Sequence, residues 1–454
     1  MNIEQVNRVF FLGIGGIGMS AIARYFLQKG ATVSGYDRTP SPLTLSLQNE
    51  GAHIIFEDDP SLIDSSIPSN QTLFIYTPAI PKNNKIREFL LSKDYQLYKR
   101  SEVLGFLSKK HQCIAIAGTH GKTTISSMTA HILYQSRIGC QAFLGGILKN
   151  YESNFLLHET SDLMVAEADE YDRSFLQLEP QMALISSMDA DHLDIYGNQE
   201  SMQNSFKEFA RKVKADGFLL VHHRLSASFS DFNHIKSYSL ENSDSDFYAS
   251  NIKLNKGYYH FNFHHPKGII RDLQLMMPGI INLENSIGAI ALSLNSGLSE
   301  DEIRNGLHSF QGIKRRLELI VSNENCLYYD DYAHHPEEIK AVLGSLKLMY
   351  PDQKLTVMFQ PHLYSRTRDF ADGFAESLSI ADQVILLDIY PAREEPIPNV
   401  SSQIILNQIS HKNKIIIKKS AVVDFFSDNK PELMVTLGAG DIDRLIEPLK
   451  NLWS

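Results

Sequence analysis

The sequence has little cysteine, no long apolar run and no surplus of basic residues. Its three cysteines, Cys113, Cys140 and Cys326, are far apart and show neither CxxC spacing nor a disulfide framework, which is typical of a reducing compartment. No stretch approaches the roughly 18 apolar residues of a membrane span, and the first residues lack the basic and apolar segments of a signal peptide. We therefore expect a cytoplasmic protein without membrane insertion.

Acidic residues outnumber basic ones, 53 against 43, and the formal net charge at pH 7 is -10. A surface that neutralises nucleic-acid phosphates needs the opposite balance, so no nucleic-acid partner is expected, although local basic sites for small anions are compatible with this charge. Hydrophobic residues make up 43% of the chain and charged residues 21%, which excludes wholesale disorder. At roughly 150 residues per domain, the length predicts about three domains.

Apolar strand-like runs alternate with segments of helical period along most of the chain, which predicts α/β domains with mainly parallel sheets. The polar residues 108–112 and the restart of the pattern near residue 312 predict domains at 1–108, 109–312 and 313–454. Residues 237–275 differ, because alternating segments such as YYHFNFHH predict a small antiparallel meander. Its aromatic residues are expected to pack on their own domain, with stacking on nucleic-acid bases as the alternative.

The first chemical motif is GIGGIG, in which Gly13, Gly15, Gly16 and Gly18 lie between a predicted strand and a predicted helix. Glycines at these positions let the backbone approach a pyrophosphate that rests on the helix N-terminus. Asp37, at the end of the second predicted strand, completes a pattern typical of dinucleotide-binding domains. The motif indicates a diphosphate without specifying NAD, and tight packing of the strand against the helix is the structural alternative.

A second glycine motif, AGTHGKTT at residues 117–124, follows the apolar strand CIAIA and opens a helix. Its glycines expose amide groups to phosphate oxygens, Lys122 can reach the outer phosphates, and a hydroxyl of Thr123 or Thr124 can ligate magnesium. The motif departs from the strict P-loop, because Ile116 stands where the first glycine is expected. It predicts triphosphate binding, with a chance strand-turn-helix as the alternative. A chain that binds both a diphosphate and a triphosphate is poorly described as a dehydrogenase.

Acidic residues follow two further predicted strands of the same domain, in AEADEYDRSF and MDADHLDIYG. Magnesium ligands are expected at strand ends beside a P-loop, since the metal bridges phosphate oxygens and prefers hard oxygen donors. Glu167, which directly ends the strand LMVAE, is the favoured ligand, whereas most of the other acids are expected to be solvated carboxylates or helix caps. His192 is an unusual ligand for magnesium, and residue chemistry alone does not favour it.

The third predicted domain carries basic and acidic residues in loops that follow its strands. They occur in GIKRRLE, YYDDYAHHPEE and FQPHLYSRTRDF, and they include Arg315, Asp331, His362 and Arg366. Clustered basic groups suit anionic substrates and the charge that develops during phosphoryl transfer. Each of these residues taken singly is equally compatible with a surface salt bridge.

These motifs, in this order and over essentially the whole chain, resemble the Mur ligase family. AGTHGKTT alone is similar to a broader group that includes folylpolyglutamate synthetases, whereas GIGGIGMS together with DDYAHHPEEI and FQPHLYSRTRDF resembles the alanine-adding members. The resemblance implies an N-terminal Rossmann-like domain for a UDP-sugar, a central P-loop ATPase domain that includes the small antiparallel sheet, and a C-terminal Rossmann-like ligase domain.

The resemblance also implies an activity that uses ATP and Mg²⁺. The γ-phosphate of ATP would pass to the lactyl carboxylate of UDP-N-acetylmuramate, and the amine of L-alanine would attack the acyl phosphate, releasing ADP and phosphate in peptidoglycan precursor synthesis. This order is physically sensible, because a carboxylate is a poor electrophile until phosphate is its leaving group, and closure of the site keeps water from the acyl phosphate. A monomer or a homodimer is expected.

The resemblance assigns roles to individual residues. Catalysis would involve Lys122, His192, His362 and Arg366, and magnesium would be served by Thr123, Glu167 and His192. The ATP site would comprise Gly118, Thr119, His120, Gly121, Lys122, Thr123, Thr124, Asn282, Asn285, Arg315 and Asp331. The UDP-sugar site would comprise Gly13, Gly15, Gly16, Gly18 and Asp37.

The chain departs from the family pattern at Ile280, Ile281 and Leu363, and these departures bear on the contact to adenine and on the chemistry of the C-terminal loop. None of them removes Lys122 or Glu167. Three alternatives stay open: a recycling ligase that adds a tripeptide to the same UDP-sugar, an NAD-dependent oxidoreductase, and an ATP-gated binding protein that forms no amide.

Overall fold

The computed structural model describes residues 3, 6–63, 72–189, 193–255, 258–392 and 394–454, which form two compact units. Of these residues, the first unit contains those up to Lys253 together with His260–Met276 and Glu284–Gln311. The second unit contains Leu254–Tyr259, Met277–Leu283 and Gly312–Ser454. Strands and helices alternate, and the predicted α/β class with mainly parallel sheets and one small antiparallel sheet is confirmed.

The N-terminal part of the first unit contains a five-stranded parallel sheet with the order β3-β2-β1-β4-β5. The chain builds one half of the sheet outward from β1 and then crosses to β4, so the carboxyl ends of β1 and β4 border the crevice where such sheets bind ligands. The elements are β1 (Arg8–Leu12), α1 (Ile17–Gln28), β2 (Thr32–Tyr36), α2 (Pro42–Asn49), β3 (His53–Ile55), β4 (Thr72–Tyr76), α3 (Lys85–Ser92), β5 (Leu97–Lys99) and α4 (Arg100–Lys110).

The central sheet of the first unit has seven strands in the order β12-β11-β10-β6-β9-β7-β8, and β8 alone is antiparallel to its neighbour. Because β6 lies between β10 and β9, the carboxyl ends of these three strands meet at one edge. The elements are β6 (Gln112–Ala117), α5 (Lys122–Tyr134), β7 (Gln141–Leu148), β8 (Ser153–Leu156), β9 (Leu163–Glu167), β10 (Met182–Ile185), α6 (Leu193–Tyr196), α7 (Gln199–Ala210), β11 (Phe218–His222), β12 (Ile235–Tyr238), and, after the small sheet, α8 (Ile280–Asn295) and α9 (Glu300–Ser309). The first four residues of α8, 280–283, belong to the second unit.

The small sheet consists of three consecutive strands, β13 (Tyr248–Asn255), β14 (Tyr258–His265) and β15 (Gly268–Leu275). Short connections between neighbouring strands are typical of antiparallel pairing. The meander is shorter than expected from residues 237–275, because β12 pairs in parallel with β11 in the central sheet instead. Tyr259, Phe261 and Phe263 are buried at alternate positions of β14, as expected of aromatic residues that pack within the protein, whereas Tyr258 is 37% exposed.

The second unit contains a six-stranded sheet with the order β16-β17-β21-β18-β19-β20, parallel except for the β16-β17 pair. The late strand β21 lies in its middle, and its five residues are all buried. The elements are β16 (Glu318–Asn323), β17 (Cys326–Asp331), α10 (Pro336–Met349), β18 (Leu355–Phe359), α11 (Tyr364–Asp369), α12 (Ala371–Leu378), β19 (Gln383–Leu386), α13 (Gln403–Gln408), β20 (Lys414–Ile416), α14 (Val422–Ser427), β21 (Leu433–Leu437) and α15 (Ile446–Trp453).

Helix α1 shows how the local sequence builds this arrangement. Gly30, with a φ of +81°, follows the end of the helix, where a left-handed residue stops helical hydrogen bonding. All residues from Met19 to Phe26 are buried, because the helix packs on its own sheet and on the β7-β8 hairpin. Tyr25 contacts the rings of Phe143 and Phe155 of that hairpin. Across the described ranges, no helix is both long enough and apolar enough to span a membrane.

Helix α5 contains a buried histidine that makes stability depend on pH. His131 is fully buried, its Nε2 lies 2.9 Å from Ser309 Oγ and its Nδ1 lies 2.9 Å from Tyr151 Oη. Burial lowers the pKa of His131 from 6.5 to about 4. A histidine kept neutral in the folded state contributes stability that is present above the unfolded pKa and is lost as the pH falls towards the folded one.

We expect the variant His131→Gln to lose less stability than the unsubstituted chain between pH 7.5 and pH 5. The difference should be about 2 kcal/mol at pH 5, since protonation of the unfolded histidine no longer opposes folding. Urea unfolding of the two proteins at both pH values measures this, with His308→Gln, at an exposed position of α9, as the control. Equal pH dependence in all three proteins would show that His131 is not neutral in the folded state.

Candidate functional site

The turn after β1 is fastened to the end of β2 by a carboxylate. The amide of Gly15 donates to Asp37 Oδ2 at 2.8 Å. A Cβ at Gly15 would lie 2.9 Å from that oxygen and 2.7 Å from Thr44 Cγ2, so a larger residue does not fit without displacing its neighbours. Helix α1 then begins with Gly16 as its N-cap and without a side-chain cap. Its first amide groups are therefore suited to an external anion.

The residues predicted for the UDP-sugar all lie at this turn. Gly13 accepts the amide of Gly16 at its carbonyl oxygen, and Gly18 lies in the first turn of α1 against the guanidinium of Arg100. The structure thus brings together Gly13, Gly15, Gly16, Gly18 and Asp37. Their binding role stays a prediction.

The second glycine turn connects β6 to α5. Its glycines, Gly118 and Gly121, have φ values of +135° and +82°. The amide of Thr119 donates to the carbonyl oxygen of Ser187 at 3.2 Å, and the amide of His120 donates to Ser187 Oγ at 2.8 Å. The loop is therefore held by the residues that follow β10, and α5 begins after Gly121 without a side-chain cap.

Lys122 lies at the start of α5 and is held in place before any ligand binds. Its Nζ donates to the carbonyl oxygen of Gly118 at 2.6 Å and to Glu170 Oε1 at 2.9 Å. Burial alone lowers the pKa of Lys122, but the negative charge of Glu170, with smaller contributions from two neighbouring carboxylates, outweighs burial and raises it. Lys122 therefore stays protonated and suits a phosphate oxygen.

The two predicted oxygen ligands of magnesium are in contact. Thr123 Oγ1 donates to Glu167 Oε1 at 3.2 Å, and the amide of Gly145 donates to Glu167 Oε2 at 3.1 Å. The amide of Gly145 therefore orients the carboxylate from the β7 side, and the threonine hydroxyl does so from the first turn of α5. A hydroxyl and a carboxylate beside a phosphate-binding loop form a donor set that fits Mg²⁺.

The remaining residues predicted for the ATP site are distributed along two helices. Thr124 is buried in the first turn of α5. Asn285 lies on α8 beside the glycine turn, since a Cβ at Gly121 would lie 2.7 Å from Asn285 Oδ1. Asn282, on the same helix, is buried, and its Nδ2 donates to the carbonyl oxygen of Pro278 at 2.6 Å. His192 lies outside the described residues, so its metal and catalytic roles stay predictions.

Arg315 of the second unit is held inside that unit. Its Nε donates to Asp330 Oδ2 at 3.1 Å and its Nη2 donates to the carbonyl oxygen of Gly438 at 2.6 Å. Burial lowers the pKa of Arg315, but the charge of Asp330 outweighs this and raises it. The guanidinium also lies over the ring of Tyr332, 5.2 Å from its centroid. A role at ATP stays a prediction for this residue.

Asp331, at the end of β17, accepts two backbone hydrogen bonds. Its Oδ2 accepts the amide of Leu317 at 2.6 Å, and its Oδ1 accepts the amide of Ala333 at 2.7 Å. Burial raises the pKa of Asp331 to about 6, although these hydrogen bonds oppose the shift. The carboxylate therefore fixes the loop after β17, and its predicted contact with ATP stays a prediction.

The residues predicted to act near the amino acid follow β18. His362 stacks on Tyr390, with ring centroids 5.8 Å apart, and its ring centroid lies 6.3 Å from that of His334. Leu363, one of the departures from the family pattern, has a φ of +69° and precedes α11, which carries Arg366. This backbone conformation is costly for a residue with a branched side chain and is typical of functional loops. The roles of His362 and Arg366 stay predictions.

Three residues that the sequence does not single out lie beside the two glycine turns of the first unit. Glu170 binds Lys122, Ser187 holds the P-loop, and Arg100 lies between Gly18 and Asp169, whose Oδ2 accepts from Arg100 Nη2 at 3.2 Å. Glu170 belongs to the acidic cluster of AEADEYDRSF, and Ser187 follows a predicted strand. No local pattern pointed to Arg100, because its partners lie far away in the sequence.

The two glycine turns, the lysine at a helix start and the parallel sheets define an α/β protein with a P-loop. Comparisons with known families agree with this class. The model described as the Mur ligase family catalytic domain matches residues 8–112, that of the Mur ligase middle domain matches 116–293, and that of the Mur ligase glutamate ligase domain matches 315–440. The chain belongs to the Mur ligase family.

Individual proteins are similar over the full length. A UDP-N-acetylmuramate–L-alanine ligase of Phocaeicola vulgatus is 46% identical over 454 residues, covering 100% of this chain and 99% of that protein. The crystal structure of a UDP-N-acetylmuramate–alanine ligase from Thermotoga maritima is 25% identical with a TM-score of 0.83, covering 98% of this chain and 99% of the other. A murein peptide ligase from Psychrobacter arcticus, 23% identical with a TM-score of 0.71 and coverage of 98% and 99%, shares the fold.

The packing of Gly145 against Glu167 generates a prediction about the metal. A Cβ at Gly145 would overlap both carboxylate oxygens of Glu167, which form the flexible end of that side chain. The variant Gly145→Ala should therefore fold but hold the carboxylate elsewhere. We expect the Mg²⁺ concentration needed for half-maximal nucleotide binding to rise by about tenfold or more, as for a lost partner of a metal ligand.

Calorimetry of nucleotide binding at a series of Mg²⁺ concentrations measures this effect. Gly344→Ala is the matched control, because its added Cβ would meet no atom within 4 Å on α10. An unchanged Mg²⁺ requirement in a folded Gly145→Ala protein would argue against Glu167 as a metal ligand.

Proposed function

We propose that this protein joins L-alanine to the lactyl carboxylate of UDP-N-acetylmuramate at the expense of ATP, in peptidoglycan precursor synthesis. The observation that carries the proposal is a pair of glycine turns in one unit, each followed by a helix without a side-chain cap. One turn suits the diphosphate of a sugar nucleotide and the other suits the phosphates of ATP. The full-length similarity to proteins named UDP-N-acetylmuramate–L-alanine ligase supports this choice of substrates.

Two of the alternatives receive less support. The similarity to a murein peptide ligase is one of fold, at 23% identity, whereas the relatives named as alanine ligases reach 46%. Hydride transfer with NAD moves no phosphoryl group, so it gives no role to a lysine paired with a buried glutamate at the start of a P-loop helix. Membership of a ligase family over nearly the whole chain argues in the same direction.

The reaction has two balanced steps. A carboxylate oxygen of the lactyl group attacks the γ-phosphorus of ATP, the bond from that phosphorus to the β-bridging oxygen breaks, and ADP leaves. The uncharged amine of alanine then attacks the acyl carbon, phosphate leaves and the amine loses a proton. Lys122, which stays protonated, stabilises the negative charge on the transferring phosphoryl group.

Magnesium is the second cofactor of the proposal. Thr123 and Glu167 would hold it, with His192 as a further candidate, and it would neutralise charge on the phosphate oxygens. The contact between the threonine hydroxyl and the carboxylate, and the amide of Gly145 that orients the carboxylate, support this assignment. The protein's own contribution is to keep these oxygens pre-oriented beside the ammonium of Lys122.

The wider assignment rests on the same motifs. We place the UDP-sugar domain at residues 1–108, the ATP domain at 109–312 and the ligase domain at 313–454. Gly13, Gly15, Gly16, Gly18 and Asp37 serve the sugar nucleotide, Arg315 and Asp331 serve ATP, and His362 and Arg366 serve the amino acid. A cytoplasmic location, with a monomer or a homodimer, completes the proposal.

Phosphate release on mixing with ATP, Mg²⁺, UDP-N-acetylmuramate and one candidate acceptor tests the proposal. We expect rapid release with L-alanine and slow release with the tripeptide of the recycling alternative. Glycine and serine should give partial activity, since one methyl group contributes only about 1 to 3 kcal/mol of discrimination. Faster release with the tripeptide, or none with any acceptor, would overturn the assignment.

The lysine of the P-loop provides a second test. Lys122→Ala alone would leave Glu170 buried without its cation, so the double variant Lys122→Ala, Glu170→Gln is the safer choice. We expect it to lose at least about 100-fold in turnover, because the charge that stabilises the transferring phosphoryl group is absent. UDP-N-acetylmuramate affinity by calorimetry should stay within about twofold, because the two glycine turns are separate sites.

Lys109→Ala, which removes an exposed ion pair with Glu179, serves as the control for the P-loop variant. Near-normal turnover in the double variant would refute the phosphate assignment of Lys122. Lost affinity for the sugar nucleotide with retained affinity for ATP would reverse the roles of the two turns.

A further inference from the structure

A buried polar network joins helix α1 to the β7-β8 hairpin. Asn154 of β8 is completely buried, and its Nδ2 donates to the carbonyl oxygen of Ile17 at 2.6 Å and to Ser20 Oγ at 3.0 Å. Its Oδ1 accepts from Arg24 Nη1. Arg24 in turn donates to the carboxylate of Glu50 through Nε and Nη2. One asparagine side chain thus contacts three residues of the helix.

The place of these contacts on the helix is informative. Ile17 is the first residue of α1 and directly follows the glycine turn, and Ser20 lies within the same first turn. Asn154 therefore binds the N-terminal end of α1, whose uncapped amide groups are predicted to bind the diphosphate. Asn154 and Arg24 are buried, whereas the carboxylate of Glu50 at the end of the network is partly exposed. The hydrogen bonds of Asn154 are therefore shielded from water, and their loss would be costly.

The same hairpin reaches the other candidate site. Gly145 lies on β7, and its amide donates to Glu167, which contacts Thr123 at the start of α5. The hairpin formed by β7 and β8 therefore contacts the first turn of α1 through one strand and the predicted metal carboxylate through the other. An element that touches both sites can fix the distance between them.

We propose that Asn154 is a positioning residue for the sugar nucleotide, acting through its amide group on the first turn of α1. The inference rests on the proposed function and adds to it a residue that contacts neither substrate. Its amide group sets the orientation of the α1 amides that bind the diphosphate, and the hairpin holds this helix end at a fixed place relative to Glu167. A displacement of about 1 Å between bound reactants can lower a reaction rate about 100-fold.

Two substitutions at Asn154 separate positioning from mere stability. Asn154→Asp keeps an acceptor for Arg24 but lacks the Nδ2 donors, and Asn154→Ala lacks both functions. We expect both variants to raise the KM for UDP-N-acetylmuramate by about tenfold, the effect of one or two lost buried hydrogen bonds, while the KM for ATP changes by less than about twofold. Ser20→Ala, which removes one acceptor of Nδ2, should raise the same KM by a smaller factor.

Asn150→Ala is the matched control. Asn150 lies between β7 and β8, but its amide group contacts Ser309 and Gln311 instead of α1. This variant should lose some thermal stability and keep the KM for the sugar nucleotide. Calorimetry with UDP-N-acetylmuramate alone gives the affinity of any variant that turns over too slowly for kinetics.

The outcomes distinguish this inference from the proposed function. An unchanged KM in Asn154→Asp would show that the hydrogen bonds from Nδ2 to Ile17 and Ser20 do not position the helix, which overturns the inference. A KM raised equally by Asn150→Ala would show that the asparagine acts through general stability, which overturns it too. An unchanged KM in Asn154→Ala would overturn it as well. No phosphate release by the unsubstituted chain would instead contradict the proposed function, and the inference would fall with it.

Discussion

The buried ion pair between Lys122 and Glu170 holds the candidate site of the first unit together. Glu170 is 1% exposed, so its charge depends on the ammonium beside it, and the removal of either partner would leave the other charge uncompensated. Lys122 also binds the carbonyl oxygen of Gly118. The pair therefore joins the start of the P-loop, the start of α5 and the segment after β9, and it places the positive charge before any phosphate arrives. A charge that needs no reorganisation stabilises a developing negative charge most effectively.

Much of the fold could be predicted from the sequence, because its signals are local. The runs 113–117, 163–166 and 355–359 are mostly apolar and bounded by polar or glycine residues, and each lies in a strand of the structure. The glycine turns were recognisable because a strand-to-helix connection with closely spaced glycines has few other uses. The position of Glu167 at the end of its strand could be predicted for a similar reason, and its role as a metal ligand stays a prediction.

The parts of the site that could not be predicted depend on tertiary placement. Glu170 lies three residues after Glu167, in a stretch with no periodic pattern, followed by left-handed backbone at Asp172 and Arg173. Which of the clustered carboxylates would face Lys122 depends on this irregular path. Asn154 and Arg24 are 130 residues apart, and neither residue belongs to a motif. Contacts of this kind follow from how elements pack, which no local pattern encodes.

In the second unit the sequence predicted residues but not their partners. Arg315 and Asp331 are satisfied by groups of their own unit, Arg315 by an ion pair with Asp330 and Asp331 by two backbone amides. A ligand near Arg315 would use the donors that the guanidinium has left, or would share those already engaged. A ligand that drew on Asp331 would loosen the loop after β17. These residues therefore combine a structural task with any task at the nucleotide.

Helix α1 contacts the β7-β8 hairpin through apolar rings as well as through the hydrogen bonds of Asn154, and the two kinds of contact have different effects. Tyr25 packs against Phe143 and Phe155, and such ring contacts hold a helix against a hairpin but tolerate sliding and rotation. A slip by one helical turn moves the helix start by about 5.4 Å. The directional hydrogen bonds of Asn154 to the first turn of α1 penalise such a slip, because each would be left unsatisfied in a buried place. Apolar packing thus holds α1 against the β7-β8 hairpin, and the buried asparagine fixes the position of the helix along its own axis.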